Sequence, residues 1–381
     1  MSSTIDRYRE ALQACQAQGT YRTIPHLQPD GKYVTVGGQR LLNLNSNDYL
    51  GLLEERQLWQ TFVDTQAAAL HPSSASSRLL TGNSRSADHF ETDLQQAYHT
   101  ESALLWDSGY HANSGILPVL SLPGTLIVAD KLVHASIIDG IRLSGAPFLR
   151  FRHNDLTHLQ SILSKYANDY QTVWVVTESL FSMDGDFAPL QEIVALKESY
   201  PHLYIYVDEA HAVGVYGDEG LGIAAEKGLT DRVDLLIGTL GKALGSVGAY
   251  SLQSDTLRQL LVSRARSLIF TTALPEITVA WSRYLFNQVR EMRERREYLG
   301  QLLRLFTQES GIAATSQIIP IVIPGEKEVT KAAELFGAAG YYIRPIRKPT
   351  VPAGSERLRI SLTSAMTTTE VTDIARLCRQ I

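Results

Sequence analysis

The sequence predicts an α/β fold in which helices cover a largely parallel β-sheet. Between about residues 55 and 280, short apolar runs typical of strands alternate with stretches of helical periodicity. Several of these runs are apolar on both faces, as expected for parallel strands that are buried on both sides. The chain has 381 residues, of which 44% are hydrophobic and 20% charged, so it is long enough to form more than one structural unit.

The N-terminal residues predict a helix followed by a short hairpin. Residues at helical spacing that are apolar or aromatic are Ile5, Tyr8, Leu12 and Cys15. Residues 32–44 then predict two short strands around a turn at Gly37 and Gly38. We interpret residues 1–54 as an N-terminal arm.

The rest of the chain predicts a large domain and a small domain. The strand-like runs of the large domain, residues 55–285, are 124–130, 172–177, 203–208 and 234–238. One face of a single long helix is predicted from Val289, Met292, Leu299, Leu303 and Phe306. This helix would lead into a small C-terminal α+β domain at residues 286–381.

Composition and charge exclude several classes of function. The formal net charge is -5 and the isoelectric point is about 6.1, so neither nucleic acid nor an anionic membrane is expected as a partner. Cys15 and Cys378 lie far apart without metal-ligand spacing, so neither a disulfide framework nor a metal site is expected. The first residues lack the pattern of a secretory signal, and no apolar run approaches the roughly 20 residues that span a bilayer. We therefore expect a cytoplasmic protein.

The segment Gly238–Ser246, GTLGKALGS, places one lysine among small and apolar residues directly after a predicted strand. Apolar surroundings disfavour the charged form of a lysine and lower its pKa. A neutral amine is a nucleophile, which makes Lys242 a candidate catalytic residue. The alternative is a surface lysine in a glycine-rich turn.

Two further motifs complement this lysine. Asp208 ends a predicted buried strand, and His211 follows it by three residues, at the edge where open α/β sheets bind ligands. Asp208 as a helix cap or a core ion pair is the alternative. Residues 106–113 form a small-residue turn that begins a predicted helix, and amides at such a helix start suit a phosphate. An amine for a Schiff base, a carboxylate for a pyridine nitrogen and amides for a phosphate together predict a pyridoxal 5'-phosphate site.

Seven motifs carry a family resemblance: Ser46–Leu52, Ser108–Tyr110, Val133–Ile137, Phe181–Asp186, Val207–His211, Gly238–Ser246 and Pro349–Gly354. In this set the chain resembles the α-oxoamine synthases from nearly one end to the other. The resemblance implies a fold-type-I pyridoxal-phosphate-dependent transferase with a mostly parallel seven-stranded sheet. It also implies a homodimer whose active sites lie at the subunit interface.

The resemblance implies a role for each matching residue of the cofactor site. Lys242 matches the lysine that bonds to the cofactor, Asp208 the partner of the pyridine nitrogen, and His211 a donor to the phenolic oxygen. His134 resembles the catalytic histidine that stacks on the cofactor ring; an isolated histidine is more often a core residue, but the motif Val133–Ile137 favours the functional interpretation. The other matching cofactor contacts are Gly109 and Tyr110 through their amides, Ser182, Thr239, and Thr272, which would reach the phosphate of the neighbouring subunit. For Thr272, an ordinary strand threonine is the alternative.

Substrate-binding residues also follow from the resemblance. Arg359 matches the arginine that binds the carboxylate of the amino acid, whereas Arg357 on the same strand face could be only structural. The other residues expected near substrates are Arg22, Asn47, His134, Arg347 and Thr350. Arg347 could instead meet the phosphates of a thiol carrier or lie in solvent.

Residues 342–354 are similar to the branch of this family that acts in biotin biosynthesis. That branch condenses L-alanine with a pimeloyl thioester, and the sequence does not distinguish coenzyme A from acyl carrier protein as the carrier. A pimeloyl chain ends in a carboxylate, which an arginine or a hydroxyl can bind. Glycine acetylation, serine palmitoylation and transamination are the alternative reactions.

The chain departs from the family pattern in two places. A serine-rich stretch, Pro72–Gly82, stands where the family usually has a glycine-rich loop, and Met366 stands where the biotin branch often has histidine. A non-catalytic regulatory subunit of the same fold is a further alternative, although such a subunit has no need of Lys242. The glycines of Tyr216–Gly222 have the wrong spacing for a dinucleotide-binding turn.

Overall fold

The computed structural model describes residues 4–381. The chain divides into two compact units, which we call the sheet unit, Asn47–Gln301, and the terminal unit, the residues up to Ser46 together with Leu302–Ile381. The arm and the two domains expected from the sequence remain predictions. No helix in the described part of the chain combines the length and the apolar character needed to cross a membrane.

The elements are given in chain order. The first are α1 (Thr4–Ala17), β1 (Gln28–Asp30), β2 (Tyr33–Val36) and β3 (Gln39–Asn43). Those of the next part are α2 (Arg56–Thr65), α3 (Arg85–Tyr98), β4 (Ser102–Trp106), α4 (Gly109–Leu120), β5 (Thr125–Asp130), α5 (Ala135–Ser144), β6 (Phe148–Phe151), α6 (Leu156–Tyr166), β7 (Thr172–Glu178) and α7 (Leu190–Ala195). They are followed by β8 (Leu203–Asp208), α8 (Ile223–Glu226), β9 (Leu235–Thr239), β10 (Ala249–Gln253), α9 (Asp255–Arg264), α10 (Arg266–Ile269), α11 (Glu276–Glu291) and α12 (Arg293–Ser310). The last are β11 (Ile318–Val322), α13 (Glu326–Ala338), β12 (Tyr341–Tyr342), β13 (Pro345–Ile346), β14 (Arg357–Ser361) and α14 (Thr368–Cys378).

A seven-stranded sheet forms the core of the sheet unit, in the order β4-β10-β9-β8-β7-β5-β6. Only β10 runs antiparallel to its neighbours, so the prediction of a mostly parallel α/β sheet is confirmed. Every residue of β4, β5 and β9 is buried, as expected for strands covered on both faces. Parallel pairing brings the carboxyl ends of β5, β7, β8 and β9 to one edge of the sheet.

The terminal unit contains two small sheets. One has the order β1-β2-β3-β12, and the other has the order β11-β14-β13. The predicted hairpin forms as β2 and β3, and β12 pairs parallel to β3, with Tyr341 opposite Leu42. The N-terminal hairpin and the C-terminal residues therefore share one sheet. Helix α1 forms as its periodicity predicts, but its apolar side chains at Ile5, Tyr8 and Leu12 are exposed.

The single long helix predicted around Met292 is wrong, because the chain forms α11 and α12 with a break at this residue. Met292 has ψ 44°, which is outside the helical range. The buried guanidinium of Arg296 donates from Nη1 to the carbonyl of Val289 at 2.6 Å and from Nη2 to that of Arg290 at 2.9 Å. An arginine side chain thus binds two of the last carbonyls of α11.

The serine-rich stretch keeps a backbone conformation that usually favours glycine. Ala75 has φ 52°, in the left-handed region. The Ser74 hydroxyl donates to the carbonyl of Leu274 at 2.7 Å, which ties the loop to the segment before α11. A methyl group at Gly82 would lie 2.1 Å from the carbonyl oxygen of Ser76, so Gly82 is required by this close approach. Loss of the usual glycines therefore does not prevent a tight turn here.

Candidate active site

A cleft of about 330 Å³ opens at the carboxyl edge of the seven-stranded sheet. All of its lining residues belong to the sheet unit. They include eight that were predicted from the sequence: Asn47, Gly109, Tyr110, His134, Asp208, His211, Thr239 and Lys242. The structure thus brings together side chains that are far apart in the chain, such as those of Asn47 and Lys242.

Asp208 is the last residue of β8, and it is only 5% exposed. Its Oδ2 accepts a hydrogen bond from Asn113 Nδ2 at 2.8 Å, and its Oδ1 accepts one from the amide of Ala210 at 2.9 Å. These donors hold the carboxylate in one orientation at the strand end. A buried carboxylate held in this way can pair with a protonated ring nitrogen.

His134 immediately precedes α5 and caps its N-terminus. Its Nδ1 accepts from the amide of Ser136 at 3.2 Å and lies 2.7 Å from the Ser136 hydroxyl. Burial lowers the pKa of His134, and the charge of Lys242 lowers it further against the opposite influence of Asp208 and Asp139. The imidazole is therefore held in its neutral form, which suits a flat side chain that stacks on an aromatic ring.

Glu178 is a second buried carboxyl group beside the cleft. It ends β7 directly opposite Asp208 in the sheet, and its Oε1 accepts from the amide of His134 at 2.6 Å. Burial raises the pKa of Glu178 well above its usual value, and the nearby Asp208 charge raises it further. This shift favours the neutral form of Glu178, which adds no second negative charge beside Asp208.

Lys242 lies in a closed loop between β9 and β10. Backbone hydrogen bonds join Leu240 to Gly248 at 2.9 Å and Ser246 to Leu240 at 2.8 Å, which hold the ends of this loop together. Lys242 is half-buried, whereas the next two residues, Ala243 and Leu244, are buried. These apolar neighbours anchor the loop, and Lys242 lines the cleft, in contrast to the alternative of a surface lysine in a glycine-rich turn.

The N-terminus of α4 lines the same cleft. Ser108 caps this 12-residue helix, because its hydroxyl accepts from the amide of His111 at 3.2 Å. The amides of Gly109 and Tyr110 belong to the first turn, where amides have no acceptor within the helix. A methyl group at Gly109 would lie 2.8 Å from Thr239 Cγ2, so glycine is needed for the helix start to approach β9. Free amides at this position suit a phosphate.

His211 is 5% exposed and follows β8. Its Nδ1 lies 2.7 Å from the hydroxyl of Tyr49, and this hydroxyl donates to Asn47 Oδ1 at 3.0 Å. The motif Ser46–Leu52 therefore contributes to the cleft through contacts with His211. This link could not be read from the spacing of the two motifs.

The residues of the cleft fit pyridoxal 5'-phosphate. Helix-start amides for the phosphate, a buried carboxylate for the ring nitrogen and a lysine amine for the aldehyde lie around one space. Glycine at position 109 allows the helix start to pack against Thr239, which keeps these amides at the cleft. Thr239 lines the cleft next to the helix start, and its hydroxyl donates to the carbonyl of Ala210 at 3.2 Å.

Two predicted cofactor residues do not line the cleft within this chain. Ser182 lies in the loop after β7. Thr272 is exposed and lies in the irregular segment between α10 and α11, so it is not the ordinary strand threonine that was its alternative. Its neighbour Thr271 instead donates to Asp107 Oδ2 at 2.6 Å. Exposure leaves Thr272 accessible to a second chain.

The other predicted substrate residues belong to the terminal unit. Arg22 donates from Nη2 to the hydroxyl of Thr350 at 2.8 Å, although the two are 328 residues apart. Arg359 is buried in β14 and donates from Nη1 to the hydroxyl of Ser361 at 2.7 Å. Arg357, on the same strand, donates from Nε to the carbonyl of Ser355 at 3.0 Å. Arg347 is half-buried next to β13.

The residues of the cleft that sequence reasoning missed include Asn113, Ser136 and Glu178. Asn113 and Ser136 lie inside motifs that the sequence had already indicated, but a polar residue in a predicted helix carries no signal of its own. Glu178 ends a predicted strand next to the strand of Asp208. A carboxyl residue at the end of an apolar run was therefore the signal that could have found it.

Comparisons with known proteins find similarity over nearly the whole chain. The model of the family described as "Aminotransferase class I and II" matches residues 39–377. A relative from Neisseria gonorrhoeae (strain NCCP11945), named "Putative 8-amino-7-oxononanoate synthase", is 46% identical over 375 residues, covering 97% of this chain and 98% of the relative. A relative of the same name from Haemophilus influenzae is 47% identical over 380 residues, covering 97% of this chain and 99% of the relative.

Solved structures share this fold. A serine palmitoyltransferase from Sphingomonas wittichii has a TM-score of 0.87 at 28% identity, covering 99% of this chain and 97% of its own. A structure of the same kind of enzyme with the internal aldimine of PLP has a TM-score of 0.88 at 25% identity, with the same coverage. An 8-amino-7-oxononanoate synthase from Francisella tularensis has a TM-score of 0.72 at 25% identity, covering 89% of this chain and 97% of its own.

Proposed function

The chain belongs to the class I and II aminotransferase family, within it to the α-oxoamine synthases, and from this premise we propose that it is an 8-amino-7-oxononanoate synthase of biotin biosynthesis. It is a pyridoxal-phosphate-dependent acyltransferase, and its proposed substrates are L-alanine and a pimeloyl thioester carried by coenzyme A or acyl carrier protein. The observation that carries this proposal is identity of 46–47% over almost the full length to relatives of that name, against 25–28% to serine palmitoyltransferases.

The proposed reaction uses the groups around the cleft in distinct roles. When bound, pyridoxal phosphate supplies an electron-accepting ring that stabilises negative charge at the α-carbon of the amino acid. Lys242 is the amine that takes the α-proton of L-alanine and later returns a proton to the product. Asp208 would hold the ring nitrogen of the cofactor in its protonated form by accepting its hydrogen bond, and His134 would cover the ring as a neutral imidazole.

The carbon-carbon bond then forms, and two groups leave the substrates. The α-carbon of L-alanine attacks the thioester carbonyl, the thiol carrier leaves, and the alanine carboxyl group departs as CO₂. We propose that Arg359 binds that carboxylate before it leaves, since a guanidinium offers two parallel donors to a carboxylate. Burial of Arg359 in β14 limits its movement and supports such a role.

The free carboxylate of the pimeloyl chain is proposed to bind Arg22 and Thr350. Their contact at 2.8 Å joins a guanidinium and a hydroxyl, and both side chains are exposed and can accept a ligand. Arg22→Ala or Thr350→Ala should lower kcat/KM for a pimeloyl thioester by roughly 10- to 100-fold, the size of one charge-assisted hydrogen bond. For an equally long acyl thioester that ends in a methyl group, the same substitutions should lower kcat/KM much less.

Steady-state kinetics with both donors measures this difference, with product identification by mass spectrometry. Arg9→Ala, which removes another exposed arginine of the terminal unit, is the matched control. This substitution should leave kcat/KM unchanged for both acyl donors. Equal losses for the two donors would reject the carboxylate site. A preference for acetyl-coenzyme A with glycine, or for palmitoyl-coenzyme A with serine, would reject the biotin-pathway reaction and leave the family membership intact.

We also propose that the enzyme is a cytoplasmic homodimer with active sites shared between subunits. Large apolar side chains are exposed on the sheet unit at Leu80 and Phe270, which are 79% and 70% exposed, and Thr272 lies beside Phe270. A second copy covering these side chains would explain them and would bring Thr272 to the cofactor phosphate of its neighbour. Sedimentation equilibrium tests the dimer, and a monomer at all concentrations would reject it.

A further inference from the structure

A continuous chain of hydrogen bonds runs along the cleft. The reaction proposed above gives the side chains in this chain of bonds no common role. The bonds join the hydroxyl of Tyr206, the amide of Asn113, the hydroxyl of Ser136 and the imidazole of His134, with a branch from Asn113 to Asp208. We call these five residues the Asn113 network. Tyr206, Asn113 and Ser136 are no more than 1% exposed, so water does not compete for these bonds.

The orientation of the Asn113 amide is determined by its neighbours. The Tyr206 hydroxyl lies 2.5 Å from Asn113 Oδ1 and donates its only proton to it. Burial raises the pKa of Tyr206 well above its usual value, with a further contribution from Asp208, so this hydroxyl keeps its proton. Rotating the amide by half a turn would place Oδ1 against the Asp208 carboxylate, where two acceptors would face each other. Asn113 Nδ2 must therefore point toward Asp208 and Ser136.

The direction of the remaining bonds follows from that orientation. Asn113 Nδ2 has two protons, of which one goes to Asp208 Oδ2 at 2.8 Å and the other to Ser136 Oγ at 2.9 Å. The Ser136 amide donates to His134 Nδ1 at 3.2 Å, so this nitrogen is an acceptor. The Ser136 hydroxyl, which accepts from Asn113, therefore directs its own proton to the same nitrogen at 2.7 Å. His134 Nδ1 thus accepts twice, which leaves the proton of the neutral imidazole on Nε2.

Backbone packing brings the two halves of the network together. Asn113 lies on α4 and Ser136 on α5, and a methyl group at Gly140 of α5 would lie 2.4 Å from the Asn113 carbonyl oxygen. The two helices are therefore in backbone contact beside the network. Such close contact lets the short side chains of Asn113 and Ser136 meet directly.

We propose that Asn113 is a positioning residue that couples the orientation of the Asp208 carboxylate to the tautomer of His134, through Ser136. One amide thereby sets both the acceptor for the cofactor nitrogen and the proton position of the histidine that covers the ring. The inference rests on the proposed assignment of this cleft as the cofactor site, but it does not depend on which acyl donor the enzyme uses.

The charged and titratable groups that face His134 come from several elements. They are Asp208 of β8, Glu178 of β7, Asp139 of α5 and Lys242 of the loop after β9. Within the described part of the chain, the hydrogen-bond partner of the His134 imidazole is Ser136, through its hydroxyl and its amide, and not one of these three carboxyl groups. The proton position on His134 is therefore governed by Ser136, and through it by Asn113.

The first test measures the tautomer directly. Nitrogen NMR of the holoenzyme labelled with ¹⁵N-histidine distinguishes a ring nitrogen with a proton from one without, and loss of a signal in His134→Asn assigns the residue. We expect a protonated Nε2 and an unprotonated Nδ1 in the unsubstituted enzyme near neutral pH. A proton on Nδ1 would overturn the proposal without any variant being made.

The second test removes single members of the network. In Asn113→Ala the Ser136 hydroxyl is free to accept, so the spectrum should change to a mixture of tautomers, the titration midpoint of His134 should rise, and kcat should fall about 10-fold. Ser136→Ala should change the tautomer in the same direction and leave the Asn113 contact with Asp208. Ser121→Ala, which removes a serine hydroxyl at the other end of α4, is the matched control.

The outcomes separate the network from ordinary packing. A loss of stability in Asn113→Ala with an unchanged His134 tautomer and titration would mean that Asn113 is only structural, and it would reject the proposal. If Asn113→Ala does not fold, Ser136→Ala decides by the same spectrum. Failure of the unsubstituted enzyme to use pimeloyl thioesters would reject the proposed substrate and leave the NMR result valid.

Discussion

Two histidines at the same edge of the sheet have opposite acid-base properties. His134 follows β5, and His153 follows the neighbouring parallel strand β6. Both lie near aspartates, yet the pKa of His134 is lowered and that of His153 is raised to about 10. At neutral pH the first is an imidazole and the second an imidazolium.

The difference arises from what each ring nitrogen touches. Burial alone would lower the pKa of His153, but Nδ1 lies 2.9 Å from Asp130 Oδ1 and Nε2 lies 2.8 Å from Asp186 Oδ2, and these bonds raise it. His134 Nδ1 instead accepts hydrogen bonds from Ser136. Direct hydrogen bonds from two carboxylates therefore outweigh burial at His153, whereas the more distant carboxylates near His134 do not.

The two states suit different tasks. As an imidazolium, His153 joins the end of β5 to Asp186 in the loop that contains Ser182, and its ring also packs edge-on against Phe181. These contacts hold the loop that contains Ser182 against the end of β5. As a neutral ring, His134 can cover a cofactor and present a donor at Nε2. Substitutions around each ring test whether this division is correct.

The largest expected effect is that of Lys242→Ala. Turnover should fall by roughly 10⁴-fold, because both the covalent attachment point and the general base are lost. In the cofactor-free protein the same change removes a positive charge that lowers the pKa of His134, so that pKa should rise while His153 stays unchanged. Initial rates, borohydride trapping followed by peptide mass spectrometry, and histidine NMR measure these effects. Turnover within 10-fold of the parent would reject the role of Lys242.

Asp208→Asn should have the next largest effect. We expect turnover to fall by roughly 100-fold or more, since the ring nitrogen loses its charged partner. The pKa of His134 should fall further, because the Asp208 charge raises it in the parent. Asp130→Asn is the matched change at the other histidine, and it should lower the pKa of His153 with little effect on the exchange of the alanine α-proton with solvent. Equal exchange rates in Asp208→Asn and the parent would contradict this prediction.

His153→Gln should reduce stability in a pH-dependent way. A folded-state pKa of about 10 against an ordinary value of 6.5 means that the stabilisation is complete below about pH 6.5 and is lost as the pH rises toward 10. Denaturant unfolding should show a deficit of roughly 2 kcal/mol for the variant at about pH 6, shrinking as the pH approaches 10. His89→Gln, at an exposed histidine, is the control. A deficit that grows with pH would mean that His153 is not an imidazolium in the folded protein.

The smallest expected effect is that of Asp139→Asn. This aspartate is the least of the causes that act on the pKa of His134, and its carboxylate also accepts from the exposed Tyr110 hydroxyl. The substitution should lower the pKa of His134 slightly and leave turnover within about twofold, since an exposed charge is screened by solvent. A larger decrease in the pKa of His134 than the one caused by Asp208→Asn would show that the order of these influences is wrong.

The sequence by itself determined the α/β class, the family and the local position of most site residues. Asp208, His211 and Lys242 could be located because each follows an apolar run, and a residue just after a parallel strand reaches the same edge of the sheet in any strand order. The start of α4 was predictable for a similar reason, since a cap and a glycine act on their own helix. Local patterns of this kind depend on neighbours within a few residues.

Only the tertiary structure decided which of these residues touch. The contacts of Asn113 with Ser136 and of Arg22 with Thr350 depend on strand order and helix packing, which apolar periodicity does not encode. The break at Met292 depends on a buried arginine that binds the end of the preceding helix. The protonation of His134 and His153 depends on which atoms face each ring nitrogen, because hydrogen-bond energies change over a few tenths of an ångström while sequence patterns specify only faces and ends.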